Sequence, residues 1–138
     1  MGVPILVEGF VVESACRALA EAGWQVTPVP STHAPGVDIT AVQGTERLLV
    51  EAKGAGSSRE GSKRYGKPFN SGQVEISVGA AIYKALGVRK PDLAGVAFPD
   101  LPLYRSKVGG TRSENLGLLG ISVFWVAEDG SVTIDGQT

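Results

Sequence analysis

A chain of 138 residues, 43% of them apolar and with a net charge of −1, is long enough to bury a core and too apolar to be disordered. Its single cysteine excludes an internal disulfide, and no apolar run approaches the ~20 residues of a membrane span. The near-neutral charge gives no global basic signature for nucleic acid. The length predicts one domain over residues 1–138. The opening MGVPILVEGF lacks a basic stretch and meets Glu8 early, which predicts a cytoplasmic protein with no signal peptide.

Val7 to Ala22 reads as a helix stopped by Gly23, with Val12, Ala15, Cys16 and Leu19 as its apolar stripe. Cys16 on that stripe is a core thiol without chemistry. Glu8 and Glu13 are the acids nearest the start, and either one alone reads as a carboxylate favoured by the helix dipole. Trp24 to Val29 reads as a strand that Pro28 pushes toward a sheet edge. Pro30 to Gly36 is a loop carrying the only histidine, His33, and one histidine with no cysteine cluster builds no zinc site.

The run GVDITAVQGTERLLVEAK, Gly36 to Lys53, predicts two strands joined by a turn at Gly44-Thr45. Ile39 and Ala41 alternate with Asp38, Thr40 and Val42; Leu48, Val50 and Ala52 alternate with Leu49, Glu51 and Lys53. A two-residue loop with glycine first suits a type II′ turn and pairs Gln43 with Glu46. Counting outward, Asp38 falls opposite Glu51, and Lys53 points to the same face as Glu51. Two facing carboxylates repel, and a divalent cation taking oxygen from both removes the repulsion. Glu-x-Lys alone is common on solvated strands; the acid facing it is what makes a site.

Gly54 to Asn70 has no periodicity and holds Arg59, Lys63, Arg64 and Lys67 against Glu60 alone, with Tyr65 and Phe69. It reads either as a guide for a phosphate backbone or as a solvated linker. On the first reading, it orders only on a polyanion and adds affinity without sequence choice. Ser71 to Leu86 is a second helix, capped by Asn70 or Ser71 and closed by Gly87, with Val74, Val78, Ala81, Ile82 and Ala85 inward. Gln73 lies in its first turn, off that stripe, where it could hold a water or phosphate or face solvent. Leu93 to Phe98 is a buried strand, Pro99 to Gly110 irregular or weakly helical, and Thr111 to Leu119 a short helix. Ile121 to Val126 and Ser131 to Ile134 form a last hairpin around Asp129-Gly130.

The order helix, three strands, helix, strand, with Asp38 and Glu51-Ala52-Lys53 on the second and third strands, resembles the PD-(D/E)xK nuclease superfamily. Within it, the chain looks most similar to archaeal Holliday junction resolvases and Mrr-type restriction enzymes. The resemblance spans about Val7 to Phe98 and implies an α/β, restriction-endonuclease-like three-layer fold with an α-β-β-β-α-β core. It implies that Asp38 and Glu51 bind Mg²⁺, with Mn²⁺ as a substitute, and that Lys53 assists a nucleophilic water. It also implies a glutamate on the first helix, for which Glu13 is the candidate although about one position off the resolvase spacing to Gly23-Trp24, with Glu8 left open, and a glutamine on the following helix, Gln73. The family's proline before the aspartate is replaced by Val37.

The expected activity is a metal-dependent phosphodiesterase, an endonuclease on DNA ahead of RNA. The alternative is a nucleic-acid-binding module on the same fold that does not cut. Arg59, Lys63, Arg64 and Lys67 are the expected nucleic-acid contacts. Cutting two symmetric strands needs two sites related by a two-fold axis, so a homodimer is expected, with Phe124 and Trp125 as its exposed apolar candidates unless both belong to the core.

Overall fold

The computed structural model describes residues 6–28, 37–55 and 69–136. Within them the order is α1 (Glu8–Glu21), β1 (Gln25–Pro28), β2 (Ile39–Gln43), β3 (Glu46–Ala52), α2 (Ser71–Leu86), β4 (Leu93–Pro99), α3 (Pro102–Val108), α4 (Thr111–Leu118), β5 (Ile121–Val126) and β6 (Val132–Asp135). The strands form one mixed sheet in sequence order, β1 to β6. Pairing is antiparallel at β1–β2, β2–β3 and β5–β6, and parallel at β3–β4 and β4–β5. The architecture is a three-layer α/β fold.

Strand alternation builds the two cores. Leu48, Val50 and Ala52 of β3, with Ile39, Ala41, Ala97, Phe124 and Val126, pack with Val11, Ala15 and Leu19 of α1. The opposite parity of the same sheet, Ala94, Val96, Phe98, Ile121, Val123 and Trp125, packs with α2, α3 and α4. The odd-numbered residues of β3, Arg47, Leu49 and Glu51, and Lys53 just past its end, therefore belong to the α2 face. An acid is thus placed beneath a helix by nothing more than its position in the alternation.

The β2–β3 hairpin has the expected register, Gln43 opposite Glu46 and Ile39 opposite Val50, about Gly44 at φ +62°. Helix α2 spans the expected residues, and Asn70 caps it: its side chain accepts from Gln73 N–H while Gln73 Oε1 accepts from Asn70 N–H.

Three expectations need correction. The buried face of α1 is Val11, Ser14, Ala15 and Leu19, with Val12 and Cys16 only half-buried. Both stripes share Ala15 and Leu19, so periodicity alone does not fix a rotation of about 100°. The stretch after Pro99 contains a regular helix, α3, which buries Tyr104 and Val108. Two buried positions are too few to show as a period. Phe124 and Trp125 are fully buried, because β5 lies inside the sheet and is covered on both faces. They belong to the core, and the aromatic surface expected to join two copies does not exist. Trp125 Nε1 donates to Asp135 Oδ2 at 2.9 Å, and the Arg105 guanidinium lies 4.1 Å above its ring.

Just beyond β3 the chain presses against the start of α1. Ala55 N–H donates to Leu6 O at 2.7 Å, and a Cβ on Gly54 would collide with Glu8 N and Val7 C. Gly54 is buried and its carbonyl accepts from Tyr104 Oη at 2.6 Å, so the backbone has little room to retreat. Gly54→Ala should therefore destabilise the fold by about 1–3 kcal/mol, measured by thermal or urea unfolding.

Candidate active site

Asp38 immediately precedes β2, where the hairpin ladder ends at Ile39–Val50. Its backbone N–H donates to Val50 O at 3.0 Å, and its carboxylate Oδ2 accepts from Ala52 N–H at 2.8 Å. The side chain therefore stands in for a missing strand partner, one step out of the ladder that counting predicts. That bond fixes one carboxylate oxygen beside the end of β3.

Glu51 lies under α2 and is only 3% exposed. Burial, and then the Asp38 carboxylate beside it, push its carboxyl up to about pH 7, while the charge of Lys84 pulls the other way. Lys84 Nζ stands 2.9 Å from Glu51 Oε2. The ammonium sets a positive charge against this buried oxygen. Lys84 in turn is held protonated by Glu51, with smaller contributions from Asp38 and Glu8.

Glu8 completes the group. Burial raises its pKa, Asp38 raises it further, and Lys53 and Lys84 oppose both. The close packing of Gly54 on the first turn of α1 is what brings this carboxylate in. Glu8 and Glu13 are both exposed, but Glu13 lies five positions on and about 140° round the helix, where it acts electrostatically on Cys16, whose thiol is raised first by burial. Of the two acids left open by the sequence, Glu8 is the one gathered with Asp38, Lys53 and Lys84.

A cavity of about 380 Å³ opens on the Glu8–Lys53 side of the group, lined also by Gly54, Gln73 and Ser77; Asp38, Glu51 and Lys84 are not among its lining residues. Gln73 reaches it from the first turn of α2, with its oxygen committed to the Asn70 cap. Lys84 carried a legible signal. Gln73, Ser77, Ala80 and Lys84 step by four, three and four, one stripe beside the buried Val74, Val78, Ala81 and Ala85. A larger hollow of about 750 Å³ lies far from this chemistry, between α4 and β6, where Asp135 already accepts from Ser113 Oγ and Trp125 Nε1.

No group of three or more His, Cys, Asp or Glu is gathered to hold a metal among the described residues. A magnesium ion keeps most of its waters and asks for one or two carboxylates. Asp38 and Glu51, two carboxylates side by side, fit that requirement, with the ion taking the place that Lys84 Nζ holds at Glu51 Oε2. Arg59, Lys63, Arg64 and Lys67, and also His33, lie outside the described residues.

No protein-family model matches the chain, and no curated protein matches it. Among solved structures, it is similar to an fdxN element excision controlling factor protein from Anabaena variabilis, with 19% identity over 91% of this chain and 96% of that one, at a TM-score of 0.50. It is also similar to an XisH family protein from Nostoc punctiforme PCC 73102, with 21% identity over 90% of this chain and 96% of that one, at a TM-score of 0.49. At these identities the likeness is one of fold.

Proposed function

We propose that the protein is a restriction-endonuclease-like, metal-dependent phosphodiesterase acting on nucleic acid, DNA ahead of RNA. The observation that carries this reading is Glu51: a buried carboxyl beside a second carboxylate, with a lysine two residues on. Burying an acid beside another acid costs stability, and a divalent cation taking oxygen from both removes that cost. Asp38 and Glu51 would hold Mg²⁺ or Mn²⁺. When bound, that ion neutralises charge on the phosphoryl oxygens and acidifies water. Lys53, lining the cavity with Glu8 and Gln73, orients the attacking water and faces the developing anion. One P–O bond forms to water as the bond to the departing sugar oxygen breaks, the water's proton passing in net to that oxygen.

A non-cutting, nucleic-acid-binding module on the same fold is the second reading. It is favoured by Lys84 Nζ already occupying the Glu51 carboxylate. Paired copies remain part of the first reading for a double-strand cut, through a surface other than Phe124 and Trp125. The test is incubation of purified protein with Mn²⁺ and supercoiled, linear, single-stranded and branched DNA. Cleavage of at least one substrate, lost in Asp38→Asn, is the expected result. Tight binding with no cleavage of any of them selects the binding module.

A further inference from the structure

Helix α2 carries an apolar ridge turned to solvent. Ile76 is 75% and Tyr83 80% exposed, and Leu86 is exposed beyond them. Between the first two, a Cβ at Gly79 would meet nothing within 4 Å. Tyr83 is among the largest apolar side chains the fold could bury, yet it stands on the surface of a helix whose neighbouring stripe is the candidate site. Ile76 borders the cavity of Glu8, Lys53 and Gln73. Tyr83 borders a second groove of about 610 Å³, lined also by Arg47, Leu49, Lys84 and Arg89. The ridge thus flanks both hollows, and Lys84, which lines the second, contacts Glu51 between them.

The charges of the second groove match a thin polyanion. Arg47, Lys84 and Arg89 face Asp92 alone among its lining residues. Arg47 is paired with Asp92 at 2.6 Å and Lys84 with Glu51, so few cations are left to a ligand. A duplex presents phosphates outward and is held by many lysines and arginines. An unpaired strand presents bases, and bases stack on exposed aromatic and apolar side chains while a few cations follow the backbone. Exposed Tyr83 and Ile76 with a small excess of positive charge is the second pattern.

We infer that the groove between β3 and the C-terminal half of α2 seats an unpaired strand of the nucleic acid, with a base stacked on Tyr83 and its phosphates near Arg89. This rests on the proposed function and narrows it: the substrate class is nucleic acid with an unpaired strand, presented across Glu51 with that strand in this groove.

The experiment is fluorescence anisotropy of the full chain with a labelled oligothymidylate and with a blunt duplex of equal length, in Ca²⁺ to separate binding from turnover. The wild type should bind the single strand more tightly than the duplex. Tyr83→Ala should weaken single-strand binding about tenfold and leave duplex binding within twofold, and Tyr83→Trp should restore it. Because Tyr83 is exposed, circular dichroism of both variants should match the wild type. Unchanged single-strand affinity in Tyr83→Ala, or preference for the duplex, overturns the inference while leaving metal-dependent cleavage standing. Wild-type binding to neither probe, with no cleavage in Mn²⁺, overturns both.

Discussion

Glu51→Gln should abolish metal-dependent cleavage and, in the same protein, raise the stability of the metal-free fold above neutral pH. Glu51 keeps its proton up to about pH 7 in the fold, against an ordinary value of 4.5. Between those limits the folded chain binds a proton that the unfolded chain has released, so stability falls as pH rises through the window. The loss is complete above pH 7 and amounts to at most about 3 kcal/mol, lessened by Lys84 and the open side of the site. Glutamine has no such proton and is nearly isosteric. Thermal unfolding of the two proteins should therefore coincide near pH 4.5 and separate by pH 8, with Glu51→Gln the more stable. Lys84, half-exposed, is left to water. Equal melting temperatures at pH 8 would show that Glu51 is not held in a costly environment.

Lys53→Ala is expected to lower the cleavage rate about 10²–10³-fold, the usual loss when one electrostatic donor is removed from a transition state. The fold should not notice. The side chain is half-buried and lines the cavity, and the backbone N–H bond to Ala97 O at 3.0 Å survives in any residue but proline. Metal affinity should change little, since on the proposed mechanism Lys53 acts on water and phosphate and the carboxylates hold the ion. The measurement is single-turnover cleavage beside a metal-binding isotherm. A wild-type rate in Lys53→Ala with a strong loss in Lys84→Ala would move the role to the lysine of α2.

Much of the site was readable before the fold. The turn at Gly44-Thr45 and the strict alternation about it are local, so the β2–β3 register follows from counting as far as Ile39 opposite Val50, and Asp38 lies beside Glu51 just past that ladder. The one-step departure at Asp38 was not readable, because it depends on a carboxylate taking the Ala52 N–H in place of a strand carbonyl. Alternation also placed Glu51 off the α1 core face, yet could not say that α2 lies over it; its burial is tertiary. Glu8 was one of two acids, and the choice rests on Gly54 packing against the first turn of α1, a contact between residues 46 positions apart. Lys84 lay in plain view as the last step of a polar stripe beginning at Gln73, but only the sheet beneath gives that stripe a meaning. The aromatic pair of β5 misled for a related reason: Phe124 and Trp125 point to opposite faces, and both faces of a central strand are covered.

The central claim is that Asp38 and Glu51 exchange a proton for a divalent cation. Calorimetric titration of Mn²⁺ into the wild type at pH 7, in two buffers of different ionisation heat, measures both halves of that exchange. Binding should release protons, because the raised pKa of Glu51 keeps part of it protonated there, and binding should be lost in Glu51→Gln. Absence of binding in the wild type, or an unchanged isotherm in Glu51→Gln, would contradict the account.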